Sequence, residues 1–237
     1  MRARLERPGA VILATSSGME FPKPDTAISL GGARRAFVRE GDRTAPLEPL
    51  NAIGGQTILR ATLSRVGLAT FALELPAQPV ELTPEMVQEY FDEIQVDETL
   101  REAYRLDPKP WREYYAKFAT SFVRVGPADP ADRSWAAPVG GPIEIVPEAD
   151  PTALGTDPRL SVRVLKRGAP LAGLPLAAQA NGVRDWTRTD AAGRATFQLR
   201  GSGPWMIHGT KLRRVARPDA DWESWFATLT IPRQSSP

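Results

Sequence analysis

Three acids alternate near the C-terminal end, in Asp219-Ala220-Asp221-Trp222-Glu223. On an extended chain such alternation puts all three carboxylates on one face. Hard oxygen donors suit calcium, magnesium or manganese, and adding His208, the chain's single imidazole, would suit nickel or cobalt. The run lacks the glycine and the ligand order of a calcium loop. Its commoner use is a solvated connection ahead of a last strand, because a metal site needs several converging ligands. His208 follows Trp205-Met206-Ile207, so alternation turns it away from Ile207 and outward, as a surface or rim histidine.

Other chemistry is harder to find. With no cysteine and one histidine, the chain excludes thiolate metal sites, a cysteine nucleophile and any site needing two imidazoles. Gly201-Ser202-Gly203 is a turn feeding a strand and lacks the G-x-S-x-G elbow of a serine hydrolase. The glycine pairs lack the Lys-Ser/Thr that completes a phosphate loop. Carboxylate pairs among 28 acids carry no weight without a known separation. Lys211, Arg213, Arg214 and Arg217 form a basic string, but the neighbouring acids cancel its field, and an ion-pair network is the expected use. Trp111, Tyr114, Tyr115, Phe118 and Phe122 could stack on sugars; core packing is the commoner role of such rings. No catalytic residue is predicted.

The elements that must position these residues are mostly strands. At 237 residues, with 42% hydrophobic and 24% charged residues, the chain has ordinary globular composition. Its 23 Pro and 19 Gly favour turns and short strands over long helices. Thirty basic against 28 acidic residues leave a net charge of +2, which argues against a nucleic-acid partner. Residues 34–39, 57–63 and 68–75 read as strands. Thr83-Pro84-Glu85 starts a helix with a stripe of Met86, Val87, Tyr90, Phe91 and Ile94, and Asp97 caps a second through Tyr104. Residues 111–122 fit either a helix or the start of a strand. Beyond a Pro/Asp-rich linker, strands recur through Asn181-Gly182, a strong hairpin signal, to residue 231. Ser235-Ser236-Pro237 reads as a frayed end. The expected fold is mainly β, with two β-sandwich-like domains. The first covers residues 1–126 and carries a helical insert at about 83–118; the linker is 127–141, and the second sandwich covers 142–232.

In their order, several motifs resemble a family of uncharacterised exported bacterial proteins labelled as the periplasmic component of a nickel/cobalt uptake system. The resemblance rests on Glu20-Phe21-Pro22, on Arg112-Glu113-Tyr114 with Lys117, and on Gly141-Pro142-Ile143-Glu144-Ile145-Val146-Pro147. It continues through Pro170-Leu171-Ala172-Gly173, Thr189-Asp190 with Gly193-Arg194, Gly203-Pro204-Trp205 and Asp221-Trp222-Glu223-Ser224. It implies a C-terminal sandwich similar to transthyretin-like or carboxypeptidase-regulatory domains, and a periplasmic or secreted protein. The sequence as given shows no export signal: the apolar stretch at 10–14 falls short of the ~7–15 residues required, and read literally it predicts a cytoplasmic protein. No stretch is long enough to span a bilayer as a helix.

The expected function is that of a non-catalytic cell-envelope binding or accessory protein linked to divalent-metal uptake, partnered by a membrane transporter or envelope protein. The alternative is an extracytoplasmic module binding carbohydrate or protein. The expected metal ligands are His208, Asp219, Asp221 and Glu223, with no resident cofactor. A cleft lined by tyrosine or tryptophan would favour carbohydrate; two buried carboxylates facing one another would favour a hydrolase.

Overall fold

The alternating segments become strands, and the strands pair into sheets. The computed structural model describes residues 4–18, 20–154, 158–200 and 203–232. Gly201-Ser202 of the expected turn and the Ser235-Ser236-Pro237 end lie outside the described residues. The N-terminal part contains β1 (Arg4–Leu5), β2 (Gly9–Thr15), β3 (Arg35–Glu40), β4 (Arg43–Pro46), β5 (Glu48–Ile53), β6 (Gln56–Leu63), β7 (Gly67–Glu74) and β8 (Gln78–Leu82). Helices α1 (Pro84–Ile94) and α2 (Glu98–Leu106) follow, then the long β9 (Trp111–Val125). The remainder is β10 (Ile143–Pro147), β11 (Arg159–Lys166), β12 (Ala169–Pro170), β13 (Pro175–Ala180), β14 (Val183–Arg188), β15 (Arg194–Gln198), β16 (Trp205–Arg214) and β17 (Trp222–Ile231).

A ten-stranded central sheet runs β14-β13-β16-β17-β9-β7-β3-β4, with β1 and β8 also pairing with β9. β10, β11, β12 and β15 form a second sheet, and β2, β6 and β5 a third. Each of the smaller sheets covers one face of the central one. Leu176, Ile207, Leu229 and Phe122 of the central sheet pack on Ile143, Ile145, Leu160, Val162 and Phe197 of the second. Ala69, Phe71, Val123 and Val125 pack on Val11, Leu13, Leu59 and Leu63 of the third. Phe122 and Val123 are successive residues of β9, so pleat alternation puts these two cores on opposite faces. The fold is mainly β, layered like a sandwich, with two short helices.

The halves on either side of residues 127–141 share the central sheet. β17 pairs in parallel with β9 from Trp222↔Glu113 to Thr230↔Ser121. The linker is pinned rather than loose. Arg39 donates to the carbonyls of Pro138 (2.8 Å) and Ala137 (2.7 Å), and Glu144 accepts from the Val139 and Gly141 amides. The buried Arg124 reaches Asp132 and Asp150 at 3.2 and 2.6 Å.

The caps behave as the sequence predicts. Thr83 Oγ1 accepts from the Met86 amide and Asp97 Oδ1 from the Leu100 amide. The insert is shorter than the 83–118 expected, because Pro108 and Pro110 end the helical region and residues 111–118 join β9. Asn181 and Gly182 both take positive φ, 47° and 80°, as the two-residue hairpin between β13 and β14 requires. Gly209 on β16 has a different role. A Cβ there would lie 2.5 Å from Leu176 Cδ2 and 2.7 Å from the Pro175 carbonyl oxygen. Gly209→Val is expected to cost about 2 kcal/mol in urea unfolding, since the backbone of β13 must yield. A loss under 0.5 kcal/mol would show that the strands slide freely there.

Candidate functional site

The third sheet and the helical insert sit on the same face of the central sheet but do not meet. Between them lies a cavity of about 560 Å³. Its floor follows from register. One rung of the central sheet runs Trp186, Ala177, His208, Thr228, Ala119, and the next runs Arg184, Gln179, Met206, Thr230, Ser121. A third aligns Thr210, Phe226 and Lys117. Small side chains at Ala119, Thr228 and Thr230 leave the floor open, with larger ones at its edges. Tyr90 and Glu93 of α1 and Val80 and Leu82 of β8 line one side; Ser17, Phe21 and Asp25 line the other. The loop bearing these three is tied back by paired Ser17–Thr26 main-chain bonds and accepts the Asn181 amide at the Phe21 carbonyl (3.1 Å).

The polar groups here differ in how far they are committed. Glu113 accepts from Trp111 Nε1 (2.6 Å), Tyr90 Oη (2.9 Å) and Ser224 Oγ, so its oxygens hold α1 and the sheet together. Burial, reinforced by the Glu113 charge, raises the Tyr90 phenol above its ordinary range and keeps it a neutral donor. Lys117 donates to Ser17 Oγ, with its ammonium 5.5 Å from the Tyr115 ring centre and 5.9 Å from that of Phe226. Burial lowers the Lys117 pKa, and the Glu93 charge opposes that shift. Burial raises Glu93, against the pull of Arg184 and Lys117. Glu93 and Lys117 thus sense one another electrostatically without a hydrogen bond between them.

His208 sits in the cavity wall, with Trp186 edge-on at 6.0 Å. Alternation was the right guide to its direction, away from Ile207, but that face is covered rather than open. Burial, assisted by the Arg184 charge, lowers its pKa from 6.5 to about 4, so the ring is neutral at pH 7. Its Nε2 is buried without a partner among the described residues.

The other expected metal ligands lie elsewhere. Asp219 accepts from Tyr114 Oη at 2.9 Å and sits 3.4 Å from Arg217. Asp221 takes a two-pronged contact from Arg112 at 3.0 and 3.1 Å, and Glu223 meets Arg213 at 2.5 Å and Arg217 at 3.0 Å. Hydrogen bonds from Tyr114, Arg112 and Arg213 respectively are the chief reason all three carboxyls are held below their ordinary range. His208 pairs with Thr228 while Arg213 pairs with Glu223, five residues along β17. Odd spacing puts His208 and Glu223 on opposite faces of the sheet. Among the described residues no three of His, Cys, Asp or Glu gather to hold a metal ion.

A family model described as Domain of unknown function (DUF4198) matches residues 8–210. The chain belongs to that family. No curated protein matches it. In this DUF4198 chain the matched stretch carries Glu93, Lys117 and His208, whereas Phe226 and Thr228 of the cavity lie beyond it. No helix among the described residues is long and apolar enough to cross a membrane. The sequence had flagged His208, yet it read Tyr115 as core, and nothing local marked Glu93. A usable signal did exist: small residues alternate inward at Ala119 and Ser121 on β9 and at Thr228 and Thr230 on β17, beside the large Tyr115 and Phe226.

Proposed function

We propose that this chain is a non-catalytic binding protein of the cell envelope whose cavity takes a small hydroxylated ligand of the carbohydrate class. The observation that carries this reading is the ring-lined cavity. At about 560 Å³ it falls within the ~300–1,000 Å³ of small-molecule sites. Tyr90, Tyr115 and Phe226 offer faces for the apolar side of a sugar ring, and Lys117, Glu93, Thr228 and Thr230 offer both donors and acceptors. A hydrolase would want two carboxylates free to act, and of the three that line the cavity, Asp25, Glu93 and Glu113, the last already accepts from three donors. The envelope location and the association with nickel or cobalt uptake follow the resemblance. Against direct capture of a cation at His208 stands the Arg184 charge, which would repel a divalent ion as it repels a proton.

The test is saturation-transfer NMR with a panel of mono- and disaccharides, followed by calorimetry on the best binder. Lys117→Met is expected to weaken that binder at least tenfold, about 1.4 kcal/mol, with circular dichroism unchanged. Thr228→Trp, which fills the floor, is expected to abolish it. A panel with no binder, or a binder indifferent to both changes, rejects the reading. Tight Ni²⁺ binding lost in His208→Ala would favour the metal reading instead.

A further inference from the structure

On the opposite face of the central sheet a second site is built from charge. Trp225 is half-buried against the core shared with the second sheet. Lys211 lies directly across from it on β16, and Arg213 and Glu223 form the next rung on the same face. Lys166, at the end of β11, holds its ammonium 4.4 Å from the Trp225 ring centre, and the Arg213 guanidinium stands 5.3 Å from that centre. Arg167 follows at once, in the turn to β12. Two cations thus stand over one aromatic ring, Lys211 faces it across the strand pair and Arg167 adds its charge beside Lys166; the acid among them is Glu223. That carboxylate is already shared between Arg213 at 2.5 Å and Arg217 at 3.0 Å. Among the described residues no carboxylate lies within ion-pair reach of Lys166, Arg167 or Lys211.

Like charges gathered this closely repel one another, and the Lys166 amine shows it. Burial first, and then Lys211, Arg213 and Arg167, lower its pKa, with only Glu223 opposing. The local excess of three positive charges stands out in a chain whose net charge is +2. A multiply charged tetrahedral oxyanion would relieve that repulsion. A monovalent carboxylate would leave most of it in place, and Lys and Arg donors match phosphate oxygens well.

We propose that Lys166, Lys211 and Arg213, set around Trp225, with Arg167 next to Lys166 in the chain, bind the phosphate group of an anionic ligand. The site is separate from the cavity, since it lies on the other side of the sheet. Either a soluble phosphate compound or the phosphomonoester headgroup of a lipid would bring that chemistry.

Two arms of one experiment test it. Calorimetry with pyrophosphate at low salt is expected to show binding that weakens steeply as salt rises. Lys211→Gln and Lys166→Gln are each expected to weaken it about tenfold, while Lys109→Gln, at a lysine paired with Asp107 and outside this cluster, leaves it unchanged. In the second arm, sedimentation with phosphatidic acid vesicles is compared with phosphatidylcholine vesicles. Capture by the former, lost in the same two variants, identifies a lipid headgroup; pyrophosphate binding without capture identifies a soluble ligand. Circular dichroism of both variants checks the fold. If neither probe binds, or if binding survives both Lys→Gln changes, the proposal is overturned.

Discussion

Trp111→Ala is expected to lower stability by about 4 kcal/mol, the largest effect of any single change considered for this protein. The ring is 1% exposed and stacks on Trp222 at 4.5 Å with an interplanar angle of 7°. Phe91 of α1 and Tyr104 of α2 meet it edge-on at 5.4 and 5.9 Å. One side chain at the start of β9 therefore fastens both helices to the sheet and to β17. Its Nε1 also donates to the buried Glu113, so truncation leaves a cavity and removes one of three donors from a buried carboxylate. Trp111→Phe keeps much of the apolar contact but not the N–H, and is expected to cost about half as much. Urea unfolding gives both numbers. Hydrogen exchange over residues 84–106 should accelerate in Trp111→Ala more than exchange over β13 and β16. A loss below 1 kcal/mol would mean that the insert is held by something other than this ring.

The same residue shows how far the sequence could be read. Local signals were legible: Thr83 and Asp97 as caps, Asn181-Gly182 as a hairpin, and residues 68–75 as a strand, although alternation there implied one buried face and the covering layers bury both. Each depends on neighbours within a few positions, so each survives without knowledge of the fold. Residues 111–122 were ambiguous because Trp111, Tyr115, Phe118 and Phe122 fit a helical period, while Thr120 to Val125 reads as a strand. Pairing with β17, more than 100 residues away, is what makes that segment extended. The division into two sandwich-like units rested on the linker's composition, which says nothing of strands crossing it. Arg35, Arg39 and Arg124 hold that linker through contacts that no window along the chain contains.

The candidate site was less legible for the same reason. Asp219, Asp221 and Glu223 invite a metal only while their partners are unseen. Arg112 and Tyr114 come from β9, and Arg213 from β16, and together they satisfy all three acids. The strand begins at Trp222, so Asp219 and Asp221 never join the alternation assumed for them. The cavity depends on a gap between two covering layers, and its floor on side chains missing from it. Glu93, on a helix face that looks solvated in sequence, is brought over that floor by the anchoring of α1 at Trp111.

Acidification from pH 7 to pH 5 is expected to remove about 2 kcal/mol of stability through His208 alone, rising toward about 3 kcal/mol as the pH falls to 4. The chain has one histidine, so this window belongs to a single group of that kind. Burial and the Arg184 charge lower its pKa in the folded protein to about 4, against 6.5 when exposed. Between those values the unfolded chain binds the proton and the folded chain does not, so protonation draws the equilibrium toward unfolding. Well above pH 6.5 the ring is neutral in both states, and its contribution is flat. Glu93 acts with the opposite sign, because its raised pKa makes the folded state the better proton acceptor as the pH falls. Asp219, Asp221 and Glu223, all lowered, lose their contributions only below the ordinary carboxylate range. The difference between wild type and His208→Gln therefore isolates the imidazole, since the carboxylates are common to both. Urea unfolding at pH 7, 6 and 5 should show the wild type falling by about 2 kcal/mol relative to the variant. Parallel pH profiles would place the His208 ring in contact with water, and the cavity wall it forms would have to be open.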